Sequence, residues 1–172
     1  MSLKRTAVSN SGPLIHLGRT TCLELLFVLF DNILIPRKVY EEVVERGMEQ
    51  GAPVALCVKE LVDQGKIAVQ QPKSSFKIDH SVTGIHSGEL DAIALALELL
   101  DPVVLLDDHG SRNIARTLGL TIKSSLGIIH DSVKLGAISV DNGVTLVRKL
   151  ARAMYLTSEV FDYVLSRIRM LE

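Results

Sequence analysis

Short apolar runs alternate along the chain with longer segments in which apolar residues recur every three or four positions. Runs of the first kind are typical of buried strands, and segments of the second kind are typical of helices. Alternation of the two predicts an α/β domain with a mostly parallel sheet and right-handed crossovers. The sheet is expected to have four strands, at residues 6–9, 32–35, 67–70 and 103–106, with residues 120–123 as the candidate for a fifth.

The helix after the second strand has signals at both ends. Pro36 predicts its first position and Gly47 its end, because proline suits a helix start and glycine suits a helix stop. Inside it, Val39 and Val43 recur at a spacing of four and predict the buried face. Glu42 falls outside that face.

Three further helical segments follow. One begins near Ser87 and runs to Leu100, and another is capped by Asp108 and runs to Gly119. The C-terminal residues 141–172 predict a helical pair, broken near Thr157, that packs on the rest of a single domain spanning residues 1–172.

Composition supports this architecture. The 172 residues are 47% hydrophobic and 23% charged, which is enough apolar material for one sizeable core. Aromatic residues make up only 4% and tryptophan is absent, so the core must consist of Leu, Ile, Val and Ala. Buried parallel strands covered by helices have this composition.

Charge and targeting signals narrow the functional classes. The formal net charge is −1, so contacts with a nucleic acid would come from local basic groups rather than from a global positive field. The two cysteines, Cys22 and Cys57, lack metal-ligand spacing and are typical of a reducing compartment. Since the sequence has neither a membrane-spanning apolar run nor the apolar core of a signal peptide, we expect a cytoplasmic protein without a membrane partner.

Polar residues are expected to gather at one edge of the sheet. Asn10 follows the first strand, and Asp107 and Asp108 follow the fourth. Glu42 and Glu89 lie on helices that adjoin the same edge, where ligands of open α/β sheets bind. Carboxylate oxygens are the ligands that Mg²⁺ prefers, and a bound divalent ion can activate water for attack on a phosphodiester.

Each acidic residue also has a purely structural interpretation. Asp108 can cap a helix, Glu89 can complement a helix dipole, and Glu42 can be a solvated surface charge. Glu89 and Asp91 are two positions apart, so on a regular helix they point in roughly opposite directions. We therefore favour Glu89 as the ligand and keep Asp91 as the second choice.

Seven short segments, spread over nearly the whole chain, indicate a family when they are taken together in their order. They are residues 8–15, 35–43, 88–96, 105–108, 118–120, 125–129 and 134–136, with Arg112 and Ala115 between them. Their combination resembles the PIN-domain superfamily, and specifically prokaryotic PIN proteins related to VapC-type toxins.

This resemblance implies a three-layer α/β/α nuclease that cleaves RNA with Mg²⁺ or Mn²⁺, and that can be the toxin of a toxin–antitoxin pair. Its partners would be RNA, an antitoxin protein and a second copy in a homodimer. The family's catalytic and metal-binding positions fall on Asn10, Glu42, Glu89 and Asp108, with Asp107 and Asp91 as accessories. Ser11 falls where the family often has a small hydroxyl residue beside the metal.

Asn10 departs from the family pattern, which has aspartate at this position. Asparagine offers an oxygen to a metal ion but brings no charge. The alternative function is therefore a catalytically impaired PIN domain that binds nucleic acid or a partner protein. Basic residues available for phosphate contacts are Lys38, Lys73, Lys77, Arg112 and Lys123. Ser11, Lys38 and Arg112 are expected to contact the nucleic acid.

A third interpretation is a metal site built from histidines. The five are His16, His80, His86, His109 and His130, and no pair has zinc-type spacing. We expect only His109, beside Asp108, near the acidic edge. The sequence contains neither a glycine-rich phosphate loop nor the signature of a nucleophilic triad.

Overall fold

A parallel sheet forms the centre of the computed structural model, which describes residues 5–73 and 87–171. Its strands in those ranges are β1 Thr6–Ser9, β2 Asn32–Ile35, β3 Ile67–Val69, β4 Val103–Leu105 and β5 Thr121–Lys123. All five predicted strands are confirmed, the last three each one residue shorter than expected. Their order is β3-β2-β1-β4-β5, so the chain changes direction across the sheet between the central strands β1 and β4.

Helices cover both faces of this sheet. Within the described ranges they are α1 Ser11–Arg19, α2 Leu25–Leu29, α3 Arg37–Tyr40, α4 Gly47–Glu49, α5 Pro53–Asp63, α6 Ser87–Leu97, α7 His109–Thr117, α8 Ser125–Lys134, α9 Val140–Met154 and α10 Ser158–Arg169. A π-helical segment, Glu41–Arg46, joins α3 to α4 without a break. No helix in these ranges has the length and apolar character needed to cross a membrane.

The prediction that Gly47 ends its helix is wrong. Its backbone is helical (φ −60°, ψ −40°), and the helix continues to Glu49. A Cβ atom at Gly47 would lie 2.9 Å from Cβ of Ala55, so the missing side chain allows α5 to pack closely. Pro36 also precedes the helix instead of forming its first residue. The local signal at Gly47 failed because this glycine serves a tertiary contact with α5.

Two apolar clusters lie on opposite faces of the sheet. Alternate strand residues point to opposite sides, so Ala7 belongs to one cluster and Val8 to the other. The larger cluster includes residues of α1, α2, α5, α8, α9 and α10, and the smaller one includes residues of α6 and α7. This confirms the three-layer α/β/α architecture.

The C-terminal helices α9 and α10 form a pair that packs against α8. A Cβ atom at Gly143 would lie 2.5 Å from Cγ2 of Val133 and 3.4 Å from Cγ2 of Ile168, so glycine permits close approach of all three helices. Thr157 caps α10 by accepting a hydrogen bond from the Val160 amide. The chain therefore breaks where the sequence predicted.

Candidate functional site

An acidic cleft opens at the carboxyl ends of β1 and β4, where the strand order reverses. Its volume is about 360 Å³. The structure brings Asn10, Glu42, Glu89, Asp107 and Asp108 together there. The full lining consists of Asn10, Ser11, Gly12, His16, Glu42, Glu89, Asp107, Asp108, Ala153, Met154 and Tyr155.

Asn10 connects β1 to the floor of the cleft. Its backbone N–H donates to the Leu105 carbonyl oxygen at 3.2 Å, which fixes the end of β1 against β4. It occupies the cap position of α1, yet its side chain makes no capping hydrogen bond. Instead Nδ2 donates to Oε1 of Glu89 at 3.4 Å, while Oδ1 accepts from the Ser11 hydroxyl at 3.3 Å. These two contacts fix which way the buried amide faces.

Glu42 reaches the cleft from the π-helical segment. A Cβ atom built on Gly88 would lie 3.6 Å from Oε2 of Glu42 and 3.8 Å from Oδ1 of Asn10, so both oxygens flank the start of α6. Within the described residues Glu42 has no hydrogen bond or ion pair, and its side chain is exposed. Single π-helical turns are frequent at functional sites, and here one carries a carboxylate with free oxygens.

Asp107 is held rigidly by three contacts. Its Oδ1 accepts the Ser125 backbone N–H at 2.8 Å, and its Oδ2 accepts the Ser125 hydroxyl at 2.6 Å. Nδ1 of His16 lies 2.6 Å from the same Oδ2. The carboxylate therefore links the end of β4 to α1 and α8.

Asp108 lies at the rim and caps α7. Its Oδ2 accepts the Ser111 backbone N–H at 2.8 Å and the Ser111 hydroxyl at 2.9 Å. The backbone hydrogen bond from Ser111 is the main reason that the pKa of Asp108 lies below its ordinary value. The capping interpretation of this residue is confirmed, and the same side chain also lines the cleft.

The structure does not bring Asp91, Lys38 or Arg112 into the cleft. Asp91 is buried on α6, and its Oδ2 lies 3.2 Å from Nζ of Lys38, within ion-pair distance but outside hydrogen-bonding geometry. Arg112 lines a separate cleft of about 370 Å³, together with His130, Tyr163, Arg167 and neighbouring residues.

The expectation that His109 is the histidine near the acidic edge is wrong. His109 Nε2 lies 3.1 Å from the side-chain nitrogen of Asn113 on the outer surface of α7. His16 lines the cleft instead. No local signal in the sequence marks His16, because its contact with Asp107 spans 91 positions. Lys77, His80 and His86 lie outside the described residues.

The oxygen donors of the cleft fit a hard divalent cation. Four carboxylates and one amide oxygen line it, and these are ligand types that Mg²⁺ and Mn²⁺ favour. In residues 5–73 and 87–171, no three His, Cys, Asp or Glu side chains stand close enough to hold a metal. The donor chemistry thus suits the ion, and the carboxylates would have to draw together around it.

A family model described as DUF3368, PIN domain, covers residues 6–170, which include every residue that lines the cleft. No curated protein matches the chain.

Proposed function

The chain belongs to the PIN-domain family, which has a nuclease-type fold, and on this premise we propose that it is an endoribonuclease dependent on Mg²⁺ or Mn²⁺. One observation carries the proposal. Glu42, Glu89, Asp107 and Asp108 come from three separate parts of the chain and line one cleft with the amide of Asn10. Like charges gathered in this way repel, so a bound cation would stabilise the arrangement.

Asn10, Glu42, Glu89 and Asp108 would hold the ion in this proposal. When bound, the ion supplies a more acidic water and neutralises charge on the phosphodiester. Asp107 would act as an accessory, since Ser125 and His16 already occupy both of its oxygens and keep it in place. Asp91, paired with Lys38, is assigned no ligand role.

Glu42 has the greatest freedom to act on the nucleophile. Its oxygens have no partner among the described residues, and its side chain is open to solvent. A carboxylate in that condition can accept the proton that an attacking water loses. The Ser11 hydroxyl holds the Asn10 amide with its oxygen beside the same space, so the floor of the cleft is ordered before RNA binds.

The hydrogen bond from Asn10 to Glu89 favours a second candidate function. The amide donates a hydrogen bond to one oxygen of the Glu89 carboxylate, which therefore has a partner without a cation. The amide contributes no charge of its own to metal binding. A net deficit of about 1.4 kcal/mol in metal binding would weaken the affinity roughly tenfold. The alternative is therefore an impaired PIN domain that binds nucleic acid or a partner protein without cutting RNA.

Partners follow from the same proposal. The proposed substrate is RNA, and the proposed location is the cytoplasm. If the chain is the toxin of a toxin–antitoxin pair, an antitoxin would insert a basic side chain among the cleft carboxylates. A homodimer would use apolar residues exposed on α10, such as Val160 and Tyr163, which are 43% and 66% exposed.

Cleavage of a labelled single-stranded RNA tests the nuclease directly. We expect the purified chain to cut it in Mn²⁺ and not in EDTA, and the double variant Glu42→Ala/Asp108→Ala to be inactive. The matched control is Glu49→Ala/Asp162→Ala, which removes two exposed carboxylates outside the cleft. Cleavage that persists in the cleft variant or in EDTA would reject the proposal. Binding without cleavage by the parent would support the impaired domain.

A further inference from the structure

Tyr155 stands at the rim of the acidic cleft with its ring in solvent. It directly follows α9 and lines the same cleft as Asn10 and Glu42. Its exposure is 93%, the highest among the exposed large apolar and aromatic side chains of the described residues. A large aromatic side chain at the proposed reaction site is therefore left almost entirely open to solvent by the part of the chain that the structure describes.

The backbone at Tyr155 is of a kind that glycine usually provides. Its dihedral angles, φ 51° and ψ 46°, are left-handed, and its N–H donates to the Ala151 carbonyl oxygen to close α9. The turns that follow α5, α7 and α8 use glycine for a positive φ, at Gly65, Gly119 and Gly136. A side chain is strained in this conformation, and no burial of the ring offsets that strain.

We infer that Tyr155 is a stacking platform for a base of single-stranded RNA in the cleft. This inference rests on the proposed function, because it assigns the substrate contact of that same site. Carboxylates around the cleft repel phosphate groups, so affinity for RNA there needs an attraction that does not depend on backbone charge. Stacking of a base on an aromatic ring supplies one, and it tolerates any base sequence.

The geometry suits an unpaired strand. Tyr155 is 93% exposed, so a splayed base can reach its ring face, whereas bases in a duplex are already stacked on each other. A base held on Tyr155 would fix the adjoining phosphate near the carboxylates of Glu42 and Asp108. Tyr155 is thus a positioning residue for the substrate and takes no part in bond breaking.

Tryptophan fluorescence gives a test that does not require cleavage. The chain has no tryptophan, so Tyr155→Trp introduces a single tryptophan at the rim, which can be excited apart from the remaining tyrosines. In EDTA we expect a single-stranded RNA oligonucleotide to quench this fluorophore, and an abasic oligonucleotide of equal length to leave it unchanged. Leu100→Trp, at a residue that is 91% exposed and outside the cleft, is the matched control and should show no difference between the two. Equal quenching by both oligonucleotides at position 155 would overturn the inference.

A second variant separates a substrate role from a structural one. Tyr155→Gly relieves the backbone strain while removing the ring, so we expect a higher melting temperature together with RNA binding weakened about tenfold. Tyr155→Phe should bind within about twofold of the parent, because the stacking face remains. Loss of both stability and binding in the glycine variant would show a structural residue instead.

Remaining outcomes are also decisive. If Tyr155→Gly converts a dimer to a monomer and leaves RNA affinity unchanged, the Tyr155 ring packs against a second copy of the chain in a dimer interface. The inference is then rejected. If the parent cleaves RNA while Tyr155→Gly binds it equally well, the inference fails and the nuclease stands. If quenching occurs as expected but no variant or condition gives cleavage, the nuclease proposal fails and the stacking contact stands.

Discussion

The amide nitrogen of Asn10 lies 3.4 Å from Oε1 of Glu89, joining the end of β1 to the first turn of α6. Because the amide donates to the carboxylate, the two side chains are compatible without a cation. An aspartate at position 10 would place a second carboxylate against Glu89, and the repulsion would favour a bound cation or a proton. Residue 10 therefore sets how strongly the cleft requires a metal ion.

Asn10→Asp tests this directly. In EDTA we expect a lower melting temperature than the parent, since the two carboxylates repel. In Mn²⁺ we expect a larger stabilisation, and metal affinity raised about tenfold by titration calorimetry. Asn32→Asp, an exposed change at the opposite end of the sheet, is the control. Equal Mn²⁺ affinity in parent and Asn10→Asp would show that residue 10 does not contribute to metal binding.

Glu42→Gln tests the carboxylate carried by the π-helical segment. The change keeps the size of the side chain and removes its charge. Two opposite unit charges about 4 Å apart attract each other by roughly 4 kcal/mol near a protein surface, before the cost of desolvation is subtracted. We expect the rate of RNA cleavage in Mn²⁺ to fall at least about tenfold, with unfolding in urea unchanged. Glu49→Gln removes the same charge from the exposed end of that helix and should keep parental activity. A fully active Glu42→Gln would remove Glu42 from the site.

Asp108 caps α7 and is also a proposed metal ligand, and two different substitutions distinguish these roles. Asp108→Ala loses the cap on α7 and should cost about 1 kcal/mol, or about 2–4 °C in melting temperature. Asp108→Asn keeps a good cap and should retain nearly all of that stability. If the charge serves the metal, cleavage falls in both variants. Full activity in Asp108→Asn would reduce Asp108 to a helix cap.

Acid should destabilise the fold through Asp131 as well as Asp108. Burial alone would raise the pKa of Asp131, but hydrogen bonds from Lys123 and His130 outweigh it and hold that pKa below its ordinary value. A carboxyl with a lowered folded pKa stabilises the fold above the unfolded pKa of about 3.9, and this contribution is lost as pH falls through the folded pKa. The free energy of unfolding should therefore decrease as pH falls below about 4.

Urea unfolding between neutral and acid pH measures this loss. Asp131→Asn removes one of the titrating groups, so its stability should fall less steeply in acid than that of the parent. Asp162→Asn, an exposed change on α10, should follow the parental curve. The assignment fails if the Asp131 variant shows the full parental decrease.

Much of the architecture could be predicted because its signals are local. Strand positions followed from short apolar runs, the Asp108 cap from one residue before a helix, and the break near Thr157 from helix periodicity. Gly47 shows the limit of such reasoning. As a glycine near the end of an apolar pattern, it predicted the end of the helix, while its contact with Ala55 on α5 favours a continuing helix.

The candidate site was likewise predictable only in part. The order of the segments predicted which acidic residues would meet, and Asn10, Glu42, Glu89, Asp107 and Asp108 do line one cleft. Their individual contacts were beyond the sequence. His16 meets Asp107 across 91 positions, Asp91 turns to Lys38, and Tyr155 reaches the rim from the C-terminal helices.

By itself, then, the sequence determined the elements, their parallel sheet and the oxygen-rich character of one sheet edge, because propensity and periodicity act between near neighbours. Only the tertiary structure decided which side chains face the cleft and what each one contacts. Those choices depend on how α1, α6, α8 and α9 pack over β1 and β4, and packing joins residues that are far apart along the chain.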